Sequence, residues 1–292
     1  MRAMAHVAFL GAGMIAAGMI EGLRRRGEEV AVWNRTAAKA QALAAVGARV
    51  AEAPIDAVRG AARVHVVLSD DAAVDAVLEA ARPGLDRGAV VVDHSTTSPA
   101  GTARRAAAMQ AEGRAFLHAP VFMSPQFARD AKGMILVAGP RATFERVRGE
   151  LEKMTGEVWW LGERPDLAAA NKLFGNAAIM AIVAGLADIY AMADALEIER
   201  RDAHALFSKF KVGATVDARG AKMASGDFTP TFDLTMARKD VRLMIEAAGD
   251  EPLAALPAIA DAMDRAIAAG RGALDLGALA SDPPAKKGDA SR

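Results

Sequence analysis

The sequence predicts an α/β chain in which a doubly wound sheet, over residues 1–164, is followed by an all-helical segment over 165–280. Three observations carry this. Short apolar runs alternate with helix-length segments through the first half, the rhythm of a parallel sheet wrapped by helices on both faces. The first run, Val7-Ala8-Phe9-Leu10, leads directly into Gly11-Ala12-Gly13-Met14-Ile15-Ala16, a glycine turn that opens a helix. After Gly162-Glu163-Arg164-Pro165 the strand pattern stops, and Leu167 through Leu196 is apolar on nearly every face.

Taken in order, residues 6–36 read as strand, glycine turn, helix, strand. The helix stops at Arg24-Arg25-Arg26-Gly27, basic residues before glycine as a helix C-terminus prefers. Thr36-Ala37-Ala38-Lys39 opens a second helix, Arg49-Val50-Ala51 a short strand, and Pro54 to Arg59 a short helix. Val64-His65-Val66-Val67-Leu68 is a buried strand whose end, Ser69-Asp70-Asp71, caps the helix through Leu78. Ala89 to Asp93 is the next strand, and Pro99 sits at the first turn of a helix running through Met109. Ala115 to Val121, Met134 to Ala138 and Val158 to Leu161 complete the sheet. Amphipathic helices follow over Ala203–Phe210, Asp217–Met223, Leu234–Ala247 and Leu253–Ala269, and the polar, proline-bearing tail 281–292 reads as disordered.

With 52% hydrophobic residues in 292, the chain can bury one large core or two ordinary ones. Basic and acidic residues balance at 36 each, which removes the electrostatic basis for a nucleic-acid or anionic-membrane surface. The absence of cysteine excludes disulfides, thiolate catalysis and cysteine-ligated metals, and no metal site is expected. The N-terminus runs straight into the first strand, so a cytoplasmic protein is expected. The apolar stretch around Ala177 to Ala187 carries Asp188 and follows Lys172, and reads as too short and interrupted for a membrane span.

The glycine turn points to a dinucleotide and so to a Rossmann-type sheet. Gly11 permits the turn, Gly13 lets the backbone approach a pyrophosphate, and Ala16 allows close helix–strand packing. Free N–H groups of Met14 and Ile15 at the positive helix end favour the phosphates. About 20 residues on, where an acidic residue selects NAD, stands Asn34-Arg35-Thr36. Asn34 is neutral, Arg35 can grip phosphate with its forked donors, and Thr36 adds a hydroxyl. The expected cofactor is NADP, with NAD possible; an exposed turn capped by Asn34 or Thr36 accounts for the same residues.

In the helical half, Lys172 and Asn176 lie four apart and share a helix face. A lysine there either snorkels to solvent or enters a cleft, where burial suits it to proton transfer. Lys239-Asp240 follows Phe232-Asp233-Leu234 on another helix.

Four blocks in register carry a resemblance to the β-hydroxyacid dehydrogenase family, which includes 3-hydroxyisobutyrate dehydrogenases and glyoxylate/succinic semialdehyde reductases, from His6 to about Leu279. They are the Gly11–Ala16 turn, Asp93-His94-Ser95-Thr96-Thr97-Ser98-Pro99, Asn171-Lys172-Leu173-Phe174-Gly175-Asn176, and Arg238-Lys239-Asp240. The resemblance implies an NAD(P)-dependent oxidoreductase in which Lys172 is the general acid/base and Asn176 positions substrate and lysine. It implies that Leu68, Ser69 and Thr96 line the cofactor, with Ser95 beside the substrate. Lys239 would close over the cofactor, and Asp240 would orient that region.

The chain departs from the family where substrate is chosen. Relatives that bind small hydroxyacids carry Asp-Ala-Pro-Val-Ser-Gly-Gly, whereas this chain has His118-Ala119-Pro120-Val121-Phe122-Met123-Ser124-Pro125. Phe122, Met123 and Ser124 therefore stand in the substrate cradle; Phe122 and Met123 either line the pocket or turn into the core. His118 reads as a structural strand-end residue, and a bulkier or less acidic substrate than a three-carbon hydroxyacid is expected. Two other readings stand on the same fold: C=N reduction as in imine reductases, whose members usually lack the lysine, and a non-catalytic cofactor-binding protein. The apolar helix from 167 to 196 suggests a homodimer, with burial inside the chain's own bundle as the alternative.

Overall fold

The computed structural model describes residues 6–280, so the expectation for the tail 281–292 lies outside the described residues. Two compact units divide the chain, Met1–Asn176 and Ala177–Arg292.

In the first unit, β1 (His6–Leu10), α1 (Met14–Arg25), β2 (Val30–Trp33), α2 (Ala37–Gln41) and β3 (Arg49–Val50) form the first wing. α3 (Pro54–Val58), β4 (Ala61–Val66), α4 (Asp71–Ala81), β5 (Val90–Asp93), α5 (Pro99–Ala111) and β6 (Ala115–His118) form the second. β7 (Val121–Phe122), α6 (Pro125–Arg129), β8 (Met134–Ala138), α7 (Arg141–Glu152) and β9 (Glu157–Gly162) follow. The sheet order β3-β2-β1-β4-β5-β6 is that of a doubly wound dinucleotide fold, with ligands expected outside the strand C-terminal ends. Two packed cores cover its faces: Phe9, Met19, Ile20, Leu23 and Leu117 lie on one, and Leu10, Val64, Val66, Val74 and Leu78 on the other.

The expectation of a wholly parallel sheet is corrected at its far end. β8 runs antiparallel to β6 and β7, while β9 is parallel to β8. The run expected as one strand from Ala115 to Val121 breaks at Ala119-Pro120. Pro120 has no N–H to give a ladder, and its carbonyl instead accepts from Leu136 N–H at 3.0 Å.

α8 (Asp166–Ala195) begins in the first unit, where Ala168 packs with Leu136 and Ala138. The units therefore divide within this helix rather than at the loop near residue 164. The second unit is helical, with α9 (Arg200–Lys209), α10 (Gly213–Ser225), α11 (Leu234–Ala248) and α12 (Leu256–Ala266). Its core joins Leu234, Val241, Leu256 and Met263. Asp188 of α8 is buried and accepts from the N–H groups of Ala254, Ala255 and Leu256 at 2.5, 3.0 and 2.7 Å.

Two expectations for α8 change. At 30 residues it is long and apolar enough, by length and composition, to cross a membrane, because Asp188 is the only charge between Lys172 and Asp194. The helix is also not buried all round, since only 6% of its most apolar window is covered. Its uninterrupted exposed run, 177–183, covers about 10 Å of helix axis, short of the roughly 30 Å hydrocarbon core.

The strand ends of the first unit are tied together by side chains. Leu68 N–H donates to Ser95 Oγ at 3.0 Å, and Ser95 N–H donates to Asp93 Oδ1 at 2.9 Å. Behind them runs a buried chain of imidazoles: His94 Nδ1 is 2.6 Å from Ala119 O, and His65 Nδ1 is 2.8 Å from His94 Nε2. Arg63 Nε donates to His65 Nε2 at 3.4 Å, and Arg63 also faces Glu150 at 3.5 Å. A carbonyl only accepts and a guanidinium only donates, so both rings must be neutral with their protons on Nδ1. Burial pushes His65 well below its ordinary value and His94 down to about 4.

The sign follows from linkage. Between the ordinary histidine value of 6.5 and the folded value of about 4, the unfolded chain binds a proton that the folded chain does not. The stability associated with neutral His94 is complete above 6.5 and is lost as pH falls from 6.5 to about 4, by about 3 kcal/mol for this group. Thermal melts should therefore be flat above neutrality and fall across that window. His94→Asn should melt lower at pH 7 but with a shallower acid slope; an unchanged slope contradicts the assignment.

Candidate functional site

β1 ends where the chain must pass β4. Gly11 has φ +115°, and a Cβ there would lie 2.1 Å from Val67 O. Gly11 N–H donates to Trp33 O at 2.8 Å, and Val67 N–H to Leu10 O at 2.9 Å. Gly13 is the N-cap of α1 and has open space where a Cβ would stand. Neither a capping side chain nor an acidic residue occupies the first turn of α1, so the positive end of its dipole is free.

This turn borders a cavity of about 710 Å³. Eight of the expected cofactor residues line it: Gly13, Met14, Ile15, Asn34, Arg35, Thr36, Leu68 and Ser69. Gly11 lies behind the turn, packed on β4, and is not among the lining residues. Asn34 Oδ1 accepts from Ala12 N–H at 3.0 Å, while Asn34 Nδ2 donates to Thr36 O at 2.9 Å. Asn34 thus ties the end of β2 to the glycine turn. Thr36 is the N-cap of α2 but makes no side-chain capping bond, leaving its hydroxyl for the cleft. Lys39, one turn into α2, also lines the cavity. Sequence reasoning missed it, although a lysine four positions after Arg35 on a helix start was a readable signal. Across the cleft, Pro54, Ala73, Ala76, Val77 and Ala80 make an apolar wall.

The other expected positions separate by role. Thr96 is exposed. Ser95 is 2% exposed, with its hydroxyl holding Leu68 N–H; it is a strut between β4 and β5 rather than an open substrate contact. Ser69 Oγ donates to Asp70 Oδ2 at 2.7 Å, and Asp70 caps α4 through Ala73 N–H. Ser124 caps α6 by accepting from Phe127 N–H at 3.1 Å, which leaves its O–H free to donate. Met123 and Val121 pack against the main core while Phe122 packs with Leu136 and Ala168. Of the two places open to it, Met123 takes the one against the main core. His118 is fully buried, 3.6 Å from Asp93, with no hydrogen-bond partner for either ring nitrogen among the described residues.

Lys172 is half-buried on α8, with its Nζ 3.8 Å from the centroid of the Phe122 ring. Burial lowers its pKa from the ordinary lysine value, and no ion-pair partner faces it among the described residues. Asn176 follows one turn later, also half-buried. In the second unit, Lys239 and Asp240 of α11 pair with each other at 2.8 Å, both part-exposed. Among the described residues there is no cluster of metal-ligating side chains.

Comparison with known proteins agrees with this geometry. The model of the NAD binding domain of 6-phosphogluconate dehydrogenase matches residues 6–162. Glyoxylate/succinic semialdehyde reductase 1 of Arabidopsis thaliana is 28% identical over 290 residues, covering 94% of this chain and 96% of the relative. The cytokine-like nuclear factor N-PAC of Drosophila melanogaster is 30% identical over 250 residues, which are 82% of this chain and only 40% of that protein. Among solved structures, the Streptomyces aurantiacus imine reductase superposes with a TM-score of 0.85 at 27% identity, over 94% of this chain and 98% of that one. The chain belongs to the β-hydroxyacid dehydrogenase family of NAD(P)-linked oxidoreductases and carries its dinucleotide-binding domain.

Proposed function

We propose that the chain is an NADP-preferring oxidoreductase that reduces a carbonyl, or oxidises the corresponding alcohol, with Lys172 as general acid/base. The observation that carries this is the half-buried Lys172 beside the Phe122 ring, whose ammonium has no counter-ion among the described residues and whose pKa burial lowers. Such a lysine can release its proton to a developing alkoxide at a pH where a solvated lysine would not. The nicotinamide, when bound, supplies the hydride. Asn176, on the same helix face, holds the substrate oxygen toward the lysine. Lys239 and Asp240 are assigned to closure over the cofactor by family resemblance.

The cleft fits the phosphates of the dinucleotide. The uncapped, acid-free N-terminus of α1 would hold the pyrophosphate through the Met14 and Ile15 N–H groups. With Asn34 neutral and occupied at the glycine turn, no carboxylate stands among the residues that line the cavity, and Arg35, Thr36 and Lys39 offer donors to a 2′-phosphate. Solved structures of the same fold include an Aspergillus terreus reductive aminase in complex with NADPH and a Myxococcus stipitatus imine reductase in complex with NADP+.

A second reading, reduction of C=N rather than C=O, is supported by the similarity to the imine reductase. Lys172 serves that chemistry equally as a proton source, so the acceptor decides between them.

A second copy of the chain covers the exposed apolar surface of the second unit. Ten large apolar side chains between Ile179 and Val216 are 45% to 69% exposed, which at about 150 Å² each leaves on the order of 800 Å², one partner's share of a stable interface.

Three outcomes test this. Lys172→Met should bind NADPH as the parent does but lose turnover at least 100-fold; unchanged turnover contradicts the assigned role. Arg35→Ser combined with Lys39→Ala should weaken NADPH binding by tenfold or more and leave NADH binding nearly unchanged, measured by fluorescence titration. Sedimentation at micromolar concentration should give twice the chain mass, and a monomer would remove the homodimer.

A further inference from the structure

The Lys172 ammonium is half-buried without an opposite charge. α8 begins over β8, where Ala168 packs with Leu136 and Ala138, and neither β7 nor β8 carries a titratable residue. β9 brings Glu157 at its start, and Glu163 follows its end; both are exposed. Asp166, at the start of α8, is held by Arg164 at 2.8 Å. His118 of β6 faces Asp93. None of these acts on Lys172, whose pKa is lowered by burial alone.

In place of an anion the lysine has a ring. Its Nζ stands 3.8 Å from the centroid of Phe122, and the face of a ring is the negative side of its quadrupole. The attraction grows where water is excluded. The chain builds this contact from two sides. Phe122 ends β7 and packs with Leu136 and Ala168, while Gly175, three residues after Lys172, makes room for the tip of the ring. A Cβ at position 175 would lie 2.3 Å from the ring Cζ and 2.9 Å from Cε1, so any side chain there would displace the ring. Two effects therefore oppose each other at one amine: burial disfavours the ammonium, and the ring face favours it. Leucine in place of Phe122 would keep the first and remove the second.

We propose that Phe122 is a positioning residue for the proton transfer: its ring face stands in for a counter-ion, keeping the desolvated Lys172 protonated and fixed in place. The proposal rests on the reading of Lys172 as the acid/base.

The test follows the ionisation of Lys172 itself. Acetic anhydride acylates the neutral amine and not the ammonium. Brief pulses across pH, read at Lys172 by peptide mass spectrometry, therefore trace the loss of its proton without cofactor or turnover. In Phe122→Leu the labelling curve should move to lower pH by about one unit. Gly175→Ala pushes the ring off the ammonium and should move the curve the same way; it is read in place of the leucine variant if that one does not fold. A curve that stays at the wild-type position, or moves to higher pH, overturns the proposal. In turnover of a four-carbon aldehyde with NADPH, the fall of kcat/KM at high pH should shift together with the labelling curve. The underlying reading fails separately. If labelling shifts while Lys172→Met keeps the wild-type turnover, the ring holds the lysine but the lysine is not the acid.

Discussion

The contact between the Gly11 backbone and the carbonyl of Val67 is the constraint on which the dinucleotide side of this protein depends. A methyl group at position 11 would stand 2.1 Å from that oxygen, so any side chain would push β1 and β4 apart just where they end. With glycine there, the chain turns sharply enough for α1 to present uncapped N–H groups to the cleft. Asn34 then fastens the end of β2 onto the same turn through Ala12 N–H. The residue that carries ribose specificity in many dinucleotide folds is thereby used here as a brace, while Arg35, Thr36 and Lys39 line the cavity beside it.

The reacting side depends on a second set of ties, between strand ends. Ser95 joins β5 to β4, and Ala119 N–H donates to Asp93 O at 2.6 Å to join β6 to β5. His94 adds a buried bond to Ala119 O, immediately before Pro120 breaks the strand and Phe122 turns toward Lys172. The neutral imidazoles behind this crest are costly to protonate because they are buried and face each other. They rigidify the segment that carries Phe122 without offering a charge of their own.

Much of this was legible in the sequence, for reasons that are local. The glycine turn, Pro99 in the first turn of its helix and the alternating apolar runs report backbone needs of their own segments, and the structure has each of them. Lys172 and Asn176 on one face follow from helical spacing. Strand direction was not legible, because an apolar run such as Met134 to Ala138 carries no arrow, and β8 proved antiparallel to β6. Neither was the pairing of His65 with His94, which are 29 residues apart and meet only once β4 and β5 are neighbours. The different partners of Phe122 and Met123 were not legible either, because β7 ends at Phe122 and Met123 follows it outside any strand. What covers α8 was not legible, because an all-round apolar sequence says that a surface must be covered, not by which chain, and this chain's own residues leave it exposed.

The central claim is that a desolvated lysine gives the proton that accompanies hydride transfer. The measurement that tests it most directly is the pH dependence of kcat/KM for carbonyl reduction by the wild-type protein with NADPH. Lys172 must be protonated to act as the acid, and burial holds its pKa below the ordinary lysine value. The rate should therefore fall as pH rises, with a single ionisation below the range of a solvated lysine. A rate that stays level through that range would contradict the account.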